Sequence, residues 1–201
     1  MFVLEKENSP LFESVERKNL IRQYELLTDC ITIGLSKGAA AVDKYMLWAL
    51  NHVAVANISQ YAGRFRQEPV YVGTHVPPHF KEVDNWIDRC ITTIQENWFI
   101  WSPTELAAYG LWRINWIHPF IEGNGRTARA FCYYLLCVRT GLLFPGKPIL
   151  PELIRGSRGE YVKALKTADQ AWDDGHLDFT AVETYLADLV KAQLNKESRP
   201  L

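Results

Sequence analysis

One short segment, residues 118–129 (HPFIEGNGRTAR), brings together a histidine, a carboxylate, a glycine-rich turn and two arginines. Gly123-Asn124-Gly125 predicts a tight turn into the start of a helix, where small residues leave successive backbone N–H groups uncovered. N–H groups arranged in this way bind anions, phosphate above all. Arg126 and Arg129 are three residues apart, hence on one face of that helix, and can add guanidinium donors to a polyphosphate.

Glu122 and His118 complete a set of groups suited to phosphoryl-type transfer. A carboxylate beside an anion site is unfavourable unless a divalent cation bridges Glu122 to the phosphates, which is how Mg²⁺ commonly binds. His118 is the only side chain of the segment suited to accept a proton near neutral pH. A base, a metal carboxylate, an anion-binding turn and an arginine pair together describe transfer to a hydroxyl group.

Each part also has an ordinary structural explanation when it is taken alone. A Gly-Asn-Gly sequence is often only a turn, a histidine at a helix C-terminus is favoured by the helix dipole, and two arginines three apart usually form a solvated face. A structural turn requires none of these side chains, so their combination in one segment indicates a site. Because the dipole favours imidazolium, we expect apolar neighbours such as Trp116 to keep His118 neutral.

The segment resembles the signature of Fic domains, His-Pro-Phe-x-(Asp or Glu)-Gly-Asn-Gly-Arg-x-x-Arg, and matches every fixed position. The similarity extends upstream to Gly63-Arg64-Phe65-Arg66 and Val70, and downstream to a helix centred on Tyr161, so that it covers residues 45–190. Fic proteins with this motif mostly transfer AMP from ATP to a Ser, Thr or Tyr hydroxyl of another protein. The resemblance therefore implies an Mg²⁺-dependent protein adenylyltransferase that releases pyrophosphate.

The resemblance also implies a role for each residue of the motif. His118 would take the hydroxyl proton as the oxygen attacks the α-phosphorus, and Glu122 would bind Mg²⁺ across the α- and β-phosphates. Arg126 would hold the leaving pyrophosphate, and Arg129 the γ-phosphate. The anion cradle would be formed by Gly123, Asn124 and Gly125.

Three further expectations follow from the resemblance. Relatives that transfer the γ-phosphate carry Lys at the position of Gly125, so a glycine there favours nucleotide transfer. Tyr161 is a candidate for the base pocket, although a core aromatic residue on an amphipathic helix explains it equally well. A β-hairpin flap is expected to bind an extended target segment by main-chain pairing, a mode that tolerates varied side chains; its residues are Val70, Tyr71, Val72, Gly73 and Thr74.

Composition and charge exclude several other classes of protein. With 22 Lys and Arg against 23 Asp and Glu, the 201-residue chain has a net charge of −1, which gives no electrostatic case for nucleic acid or an anionic membrane. It has neither an apolar run of membrane-spanning length nor an N-terminal signal peptide, so a cytoplasmic location is expected, with delivery as an effector left open. Its four cysteines are too dispersed for a metal cluster or a disulfide scaffold.

The elements that must position the motif are predicted to be helical. Apolar periodicity and capping signals indicate an all-α protein with the short β-hairpin flap. The resemblance implies that this is a Fic-type helical bundle, divided into an N-terminal helical arm (1–40) and a Fic core (41–201). A helix starting at Ser102 must end near Ile117, because His118 precedes a proline. Glycines and serine at 34–38 are expected to end the arm. The other predicted helices cover 13–28, 43–60, 81–97, 124–140, 157–171 and 179–195.

Regulation and the direction of the reaction are left open by the sequence. Many Fic proteins carry an inhibitory helix of the type Ser/Thr-x-x-x-Glu-Gly/Asn. Residues 92–97 fit this pattern but fall in a predicted core helix, and residues 9–14 miss it at the last position. Inhibition is therefore expected from a separate antitoxin-like chain or from a homo-oligomer. The alternative functions are removal of AMP, use of another nucleotide or phosphodiester donor, and a catalytically quiet, toxin-like binding module.

Overall fold

The structure, a computed structural model, describes residues 9–195, and helices account for nearly all of its regular secondary structure. This part of the chain contains eight α-helices, two 3₁₀-helices (Gly38–Ala41 and Phe80–Glu82) and no β-strand. None of the helices between residues 9 and 195 has the length and apolar character needed to cross a membrane. The α-helices are α1 (Pro10–Lys37), α2 (Lys44–Val55), α3 (Val83–Glu96), α4 (Pro103–Ile117), α5 (Asn124–Thr140), α6 (Leu150–Gly156), α7 (Arg158–Asp173) and α8 (Thr180–Asn195).

Local capping signals determine where α2 and α4 begin. The Asp43 carboxylate accepts a hydrogen bond from the Met46 N–H at 2.8 Å. At α4, the Ser102 hydroxyl accepts from the Glu105 N–H at 3.1 Å, and the Glu105 carboxylate accepts from the Ser102 N–H at 2.7 Å. Caps of this kind stabilise a helix by about 1 kcal/mol each. The predicted cap residues and the predicted end of α4 at Ile117 are confirmed.

The helices α4 and α5 form the centre of the fold. Residues 106–114 of α4 and 130–138 of α5 are buried without interruption. A helix that is apolar on all sides must be surrounded by other elements, and here α1, α2, α3, α7 and α8 provide that cover. Only the six residues 118–123 connect α4 to α5, so the motif at 118–129 begins where these two helices meet.

The helix predicted over 13–28 is longer in the structure, because α1 continues through Gly34 to Lys37 before it ends. A Cβ atom on Gly34 would lie 2.5 Å from Val138 Cγ2, so this glycine allows α1 to approach α5 closely and does not stop the helix. The stop is Gly38, which has a φ of 58°. Further along α1, the buried Gln23 side chain donates to the Leu50 carbonyl of α2 at 3.0 Å. The division of the chain at residue 40 stays a prediction.

The predicted β-hairpin at 70–74 is not formed within the described residues. The segment makes one isolated antiparallel bridge, in which the N–H groups of Val72 and His75 each donate to the other carbonyl at 3.1 and 3.0 Å. The next hydrogen-bonded pair outward would join Val70 to Pro77, and proline has no N–H to donate. Pairing therefore stops after one bridge, and we call residues 70–75 the flap.

The helix α6 lies in a region where Pro145, Pro148 and Pro151 predict a turn from the sequence alone. Pro151 falls in the first turn of α6, where the missing N–H costs no hydrogen bond. The Glu152 carboxylate accepts a hydrogen bond from the Ile149 N–H at 3.0 Å and so stabilises the start of the helix.

Candidate active site

The turn between α4 and α5 is held in shape from inside by Asn124. Its side-chain amide donates to the Phe120 carbonyl at 2.7 Å, and its side-chain oxygen accepts from the Phe120 N–H at 2.9 Å. Both residues are buried. The sequence predicted Asn124 as part of an anion cradle, and the structure leaves only its backbone N–H for that purpose.

Gly123 provides the sharp entry into α5. Its φ of 80° is left-handed, and a Cβ atom there would lie 2.7 Å from Val55 and 2.9 Å from the Asn51 side chain. The N–H groups of the first turn of a helix have no acceptor within the helix, so the start of α5 offers uncompensated donors. This geometry can bind an anion of the size of a phosphate group.

Asn51 of α2 positions this turn and was missed by the sequence reasoning. Its buried amide donates to the Glu122 carbonyl at 2.8 Å and lies 3.3 Å from the Thr127 hydroxyl. Its side-chain oxygen accepts from the Gly63 N–H at 3.0 Å. In the sequence, Asn51 is a polar residue between Leu50 and Ala54 on an otherwise apolar helix face, and this pattern could have indicated that its side chain has a specific partner. Asn51 thus connects the turn at 118–123 by hydrogen bonds to Gly63, in the loop that leads to the flap.

His118 directly follows α4 as its C-cap, in a left-handed conformation with a φ of 48°. Its Nδ1 lies 3.4 Å from the Asn115 carbonyl oxygen, which can only accept, so this contact favours a proton on Nδ1 and leaves Nε2 as the acceptor. Burial lowers the pKa of His118 to about 4, and the charges of Arg66 and His75 act in the same direction. The imidazole is therefore neutral at pH 7, the state that a general base requires.

Arg66 is the second residue that the sequence reasoning did not place in the site. Its side chain is 2% exposed. The guanidinium donates to the His118 carbonyl at 2.8 Å and the Ile117 carbonyl at 3.3 Å. It also donates to the carbonyls of Pro78 and Glu68, at the two ends of the flap segment. One side chain therefore joins the end of α4 to both stems of the flap.

The two arginines of the motif differ in their surroundings. Arg126 Nη1 donates to the Ala54 carbonyl at 3.0 Å and pairs with the Glu16 carboxylate at 3.2 Å, so it is turned toward α1 and α2. The Arg129 guanidinium lies over the start of α5, where a Cβ on Gly125 would be 3.1 Å from its Nη1. Burial lowers the pKa of both guanidinium groups, which nevertheless stay charged.

Glu122 and Tyr161 lie at different depths beside these arginines. Glu122 is half-buried in the turn, and its charge acts on Arg126. The described residues contain no cluster of three or more histidine, cysteine or acidic side chains, so Mg²⁺ would take one carboxylate here and its other ligands from phosphates and water. Tyr161 is buried, and its ring stacks on Tyr185 at 6.1 Å.

The flap lies on the surface, and besides the Arg66 contacts to both stems its C-terminal end is anchored by His75. Its tip is exposed, with Tyr71 76% accessible and Gly73 and Thr74 also open to solvent. His75 Nε2 lies 2.8 Å from the Trp116 carbonyl oxygen, which attaches the end of the flap to α4. The structure thus places the predicted target-binding residues 70–74 outside the turn, and Arg66 connects the two regions.

The fold and the site define an all-α protein in which a neutral histidine and an anion-binding helix start share one turn. The model of the Fic/DOC family matches residues 41–136, which include that turn and the flap. The chain belongs to the Fic/DOC family.

Named relatives and solved structures agree with this assignment. A protein adenylyltransferase Fic from Nematostella vectensis is 31% identical over 206 residues, 91% of this chain and 46% of its own length. One from Drosophila persimilis is 31% identical over 141 residues, 66% of this chain and 24% of its own length. The chain thus spans less than half the length of these relatives.

Two solved structures have the same fold at low identity. Fic-1 (residues 134–508) from C. elegans has a TM-score of 0.72 and 23% identity, covering 96% of this chain and 53% of that one. A Fic domain containing signaling protein from Bacteroides thetaiotaomicron has a TM-score of 0.72 and 20% identity, covering 95% of this chain and 72% of that one.

Proposed function

We propose that the protein transfers AMP from ATP to a Ser, Thr or Tyr hydroxyl of another protein. In this reaction the hydroxyl oxygen bonds to the α-phosphorus, the bond from that phosphorus to the oxygen bridging the α- and β-phosphates breaks, and pyrophosphate leaves. The observation that carries the proposal is the neutral imidazole of His118 on the same turn as the open N–H groups of α5. The similarity to proteins named protein adenylyltransferase Fic supports the same activity.

The proposed roles follow from where each group lies. His118 Nε2 accepts the proton of the attacking hydroxyl, since Nδ1 faces the Asn115 carbonyl. The N–H groups at the start of α5 hold phosphate oxygens, and Arg129 lies over the same helix start to bind the distal phosphate. Glu122 would hold Mg²⁺, which when bound supplies positive charge to the phosphates.

Arg126 can take its proposed role with the leaving pyrophosphate and keep its contacts to α1 and α2. Its Nη1 is bonded to the Ala54 carbonyl and to Glu16. A guanidinium has five N–H donors, so the other nitrogens can bind phosphate while Nη1 keeps these contacts. Arg126 would then connect the phosphate group to α1 and α2.

The flap is proposed to hold the target segment in an extended conformation. Its single bridge satisfies Val72 and His75 only, and residues 70, 71, 73 and 74 make no other backbone pair among the described residues. Such backbone groups can pair with an added strand whatever its side chains. An antitoxin-like chain or a second copy that covered this flap would block the target, which is how we propose the protein is inhibited.

Isotope position in ATP tests the proposal. Purified protein, Mg²⁺ and a cell lysate are incubated with ATP labelled on the α- or the γ-phosphate. We expect protein-bound label from α-labelled ATP only, and its loss in His118→Ala, with the exposed His176→Ala as the matched control. Label from the γ-phosphate would show phosphate transfer instead. ATP binding without label in any protein would identify a quiet binding module.

A second incubation tests the reverse reaction. The protein is mixed with a target that already carries labelled AMP, in the absence of ATP. Retention of the label agrees with the proposal, whereas release that depends on His118 would assign the protein to AMP removal. Replacement of ATP by UTP or CTP, with calorimetric affinities, identifies the preferred donor.

A further inference from the structure

Arg113 of α4 carries a buried positive charge among aromatic rings. Its side chain is 3% exposed, and its guanidinium carbon lies 4.3–5.2 Å from the ring centroids of four tryptophans. A cation over an aromatic face is favourable because the ring quadrupole compensates its charge. The tryptophans are Trp86, Trp112, Trp116 and Trp172.

The rings do not satisfy the hydrogen-bond donors of Arg113. Guanidinium N–H groups point outward in the plane of the group, whereas stacked rings cover its faces. The Tyr109 hydroxyl hydrogen-bonds the Arg113 guanidinium, but Arg113 Nε and Nη1 are buried and have no acceptor among the described residues. Arg113 is also in none of the ion pairs within residues 9–195, and Oδ1 of the nearby Asp169 accepts from Trp112 Nε1 at 2.8 Å. Buried donors without a partner are rare in proteins and call for an explanation.

Arg113 lines a cleft between α3, α4 and α7 that has a volume of about 810 Å³. Its walls include the rings of Trp86, Tyr109 and Trp172, and the hydroxyl of Thr93 adds a polar group. None of the residues that line this cleft belongs to the turn at 118–123 or to the motif arginines. The cleft is therefore separate from the proposed ATP site.

The charges around the cleft favour a ligand with a single negative charge. Arg89 at the rim stacks on Trp86 at 5.1 Å and adds a second positive charge. The carboxylate of Asp88, also on the rim, is paired with Lys44 at 3.1 Å. A carboxylate carries the single charge that the buried Arg113 guanidinium balances, whereas a dianionic phosphate would also need Arg89, which lies at the solvent-exposed rim and not within the cluster of four tryptophans.

We propose that this cleft between α3, α4 and α7 binds a small organic carboxylate with a flat apolar body, its carboxylate paired with Arg113 and its body against the rings of Trp86 and Trp172. The ligand supplies the in-plane acceptors that the guanidinium lacks, and the tryptophan rings cover its apolar part. The inference does not depend on the proposed AMP transfer, because it uses no residue of that site.

Calorimetry with a matched pair of probes tests the site. The full chain is titrated with 1-naphthoate and with 1-naphthamide, which have the same ring system but differ in charge. We expect the acid to bind about 10-fold more tightly than the amide, with an affinity that saturating ATP and Mg²⁺ leave unchanged. Equal affinities, no binding of the acid at millimolar concentration, or displacement of the acid by ATP would each overturn the proposal.

Variants locate the binding to Arg113. Arg113→Met, checked for folding by circular dichroism, is expected to lose the difference between acid and amide. The control is Arg139→Met, since Arg139 also lies over an aromatic ring, Phe99 at 5.7 Å, but outside the cleft. If Arg113→Met fails to fold, the indole N–H signals of the wild-type chain decide the question. Shifts at Trp86 and Trp172 with the acid support the proposal, and shifts confined to other tryptophans overturn it.

Discussion

Replacement of Arg66 by methionine should release both the turn at 118–123 and the flap. Arg66 donates to the carbonyls of His118 and Pro78, with weaker bonds to Ile117 and Glu68. Methionine keeps much of the apolar volume but donates nothing. A buried carbonyl that loses its donor costs about 1–3 kcal/mol, so the two strong bonds alone predict a loss of about 2–6 kcal/mol in the free energy of unfolding. This is a large share of the stability of a typical domain.

The same substitution should change the chemistry of His118. Burial lowers the pKa of His118 to about 4, and the Arg66 charge contributes to this in the same direction, together with that of His75. Without Arg66 the imidazole loses a positive neighbour and gains water, so its pKa should rise toward the ordinary value of about 6.5. Arg66→Lys should keep the pKa low, because the charge remains, but should still destabilise the fold, because an ammonium cannot reach four carbonyls.

Urea unfolding and histidine NMR titration measure these two effects separately. The control is Arg64→Met, since Arg64 is exposed and lies two residues away. The reasoning is refuted if Arg66→Met unfolds within about 1 kcal/mol of the control and the pKa of His118 does not move. Neither measurement depends on transfer activity.

Three further predictions follow from named contacts. Because the folded-state pKa of His118 is lowered to about 4, the free energy of unfolding should be highest above about pH 6.5 and should fall by up to about 3 kcal/mol as the pH drops to 4. Urea unfolding measured across this pH range should show the fall in the wild type and little of it in His118→Gln. Arg129→Ala should weaken ATP binding about 10- to 100-fold by calorimetry, because a charge-assisted bond is lost, whereas the exposed Arg22→Ala should not; equal affinities would contradict the assignment. Gly34→Ala should destabilise the fold by about 1–3 kcal/mol in thermal unfolding, because its Cβ would overlap α5, while Gly159→Ala, which meets no atom within 4 Å, should be neutral or stabilising.

Local signals in the sequence were sufficient to predict most helices and the turn that carries the motif. The caps at Asp43 and Ser102 and the end of α4 before His118-Pro119 depend on groups within four residues, so they can be read without knowing the fold. Gly34 shows where this fails, because whether a glycine stops a helix or permits a close contact depends on a partner about 100 residues away. The missing hairpin could have been anticipated from Pro77, which cannot donate to a second pair.

The motif residues were recognisable from their types, but their supports were not. Arg66 reaches carbonyls 51 and 52 residues along the chain, and Asn51 reaches one 71 residues away. Such partners are set by tertiary packing and leave no periodic pattern. For Asn124 the residue was recognised but its role was not. The sequence suggested that its side chain binds an anion, whereas the structure shows that the side chain hydrogen-bonds the Phe120 backbone and stabilises the turn.

The central claim is that the start of α5 positions ATP while the neutral His118 takes a proton from an attacking hydroxyl. Mass spectrometry of a lysate incubated with ATP, Mg²⁺ and either wild-type protein or His118→Ala, at concentrations where both bind ATP equally, tests it most directly. We predict a peptide that carries an AMP group on a Ser, Thr or Tyr oxygen with the wild type and none with the variant. The same modified peptide in equal yield with His118→Ala would contradict the account.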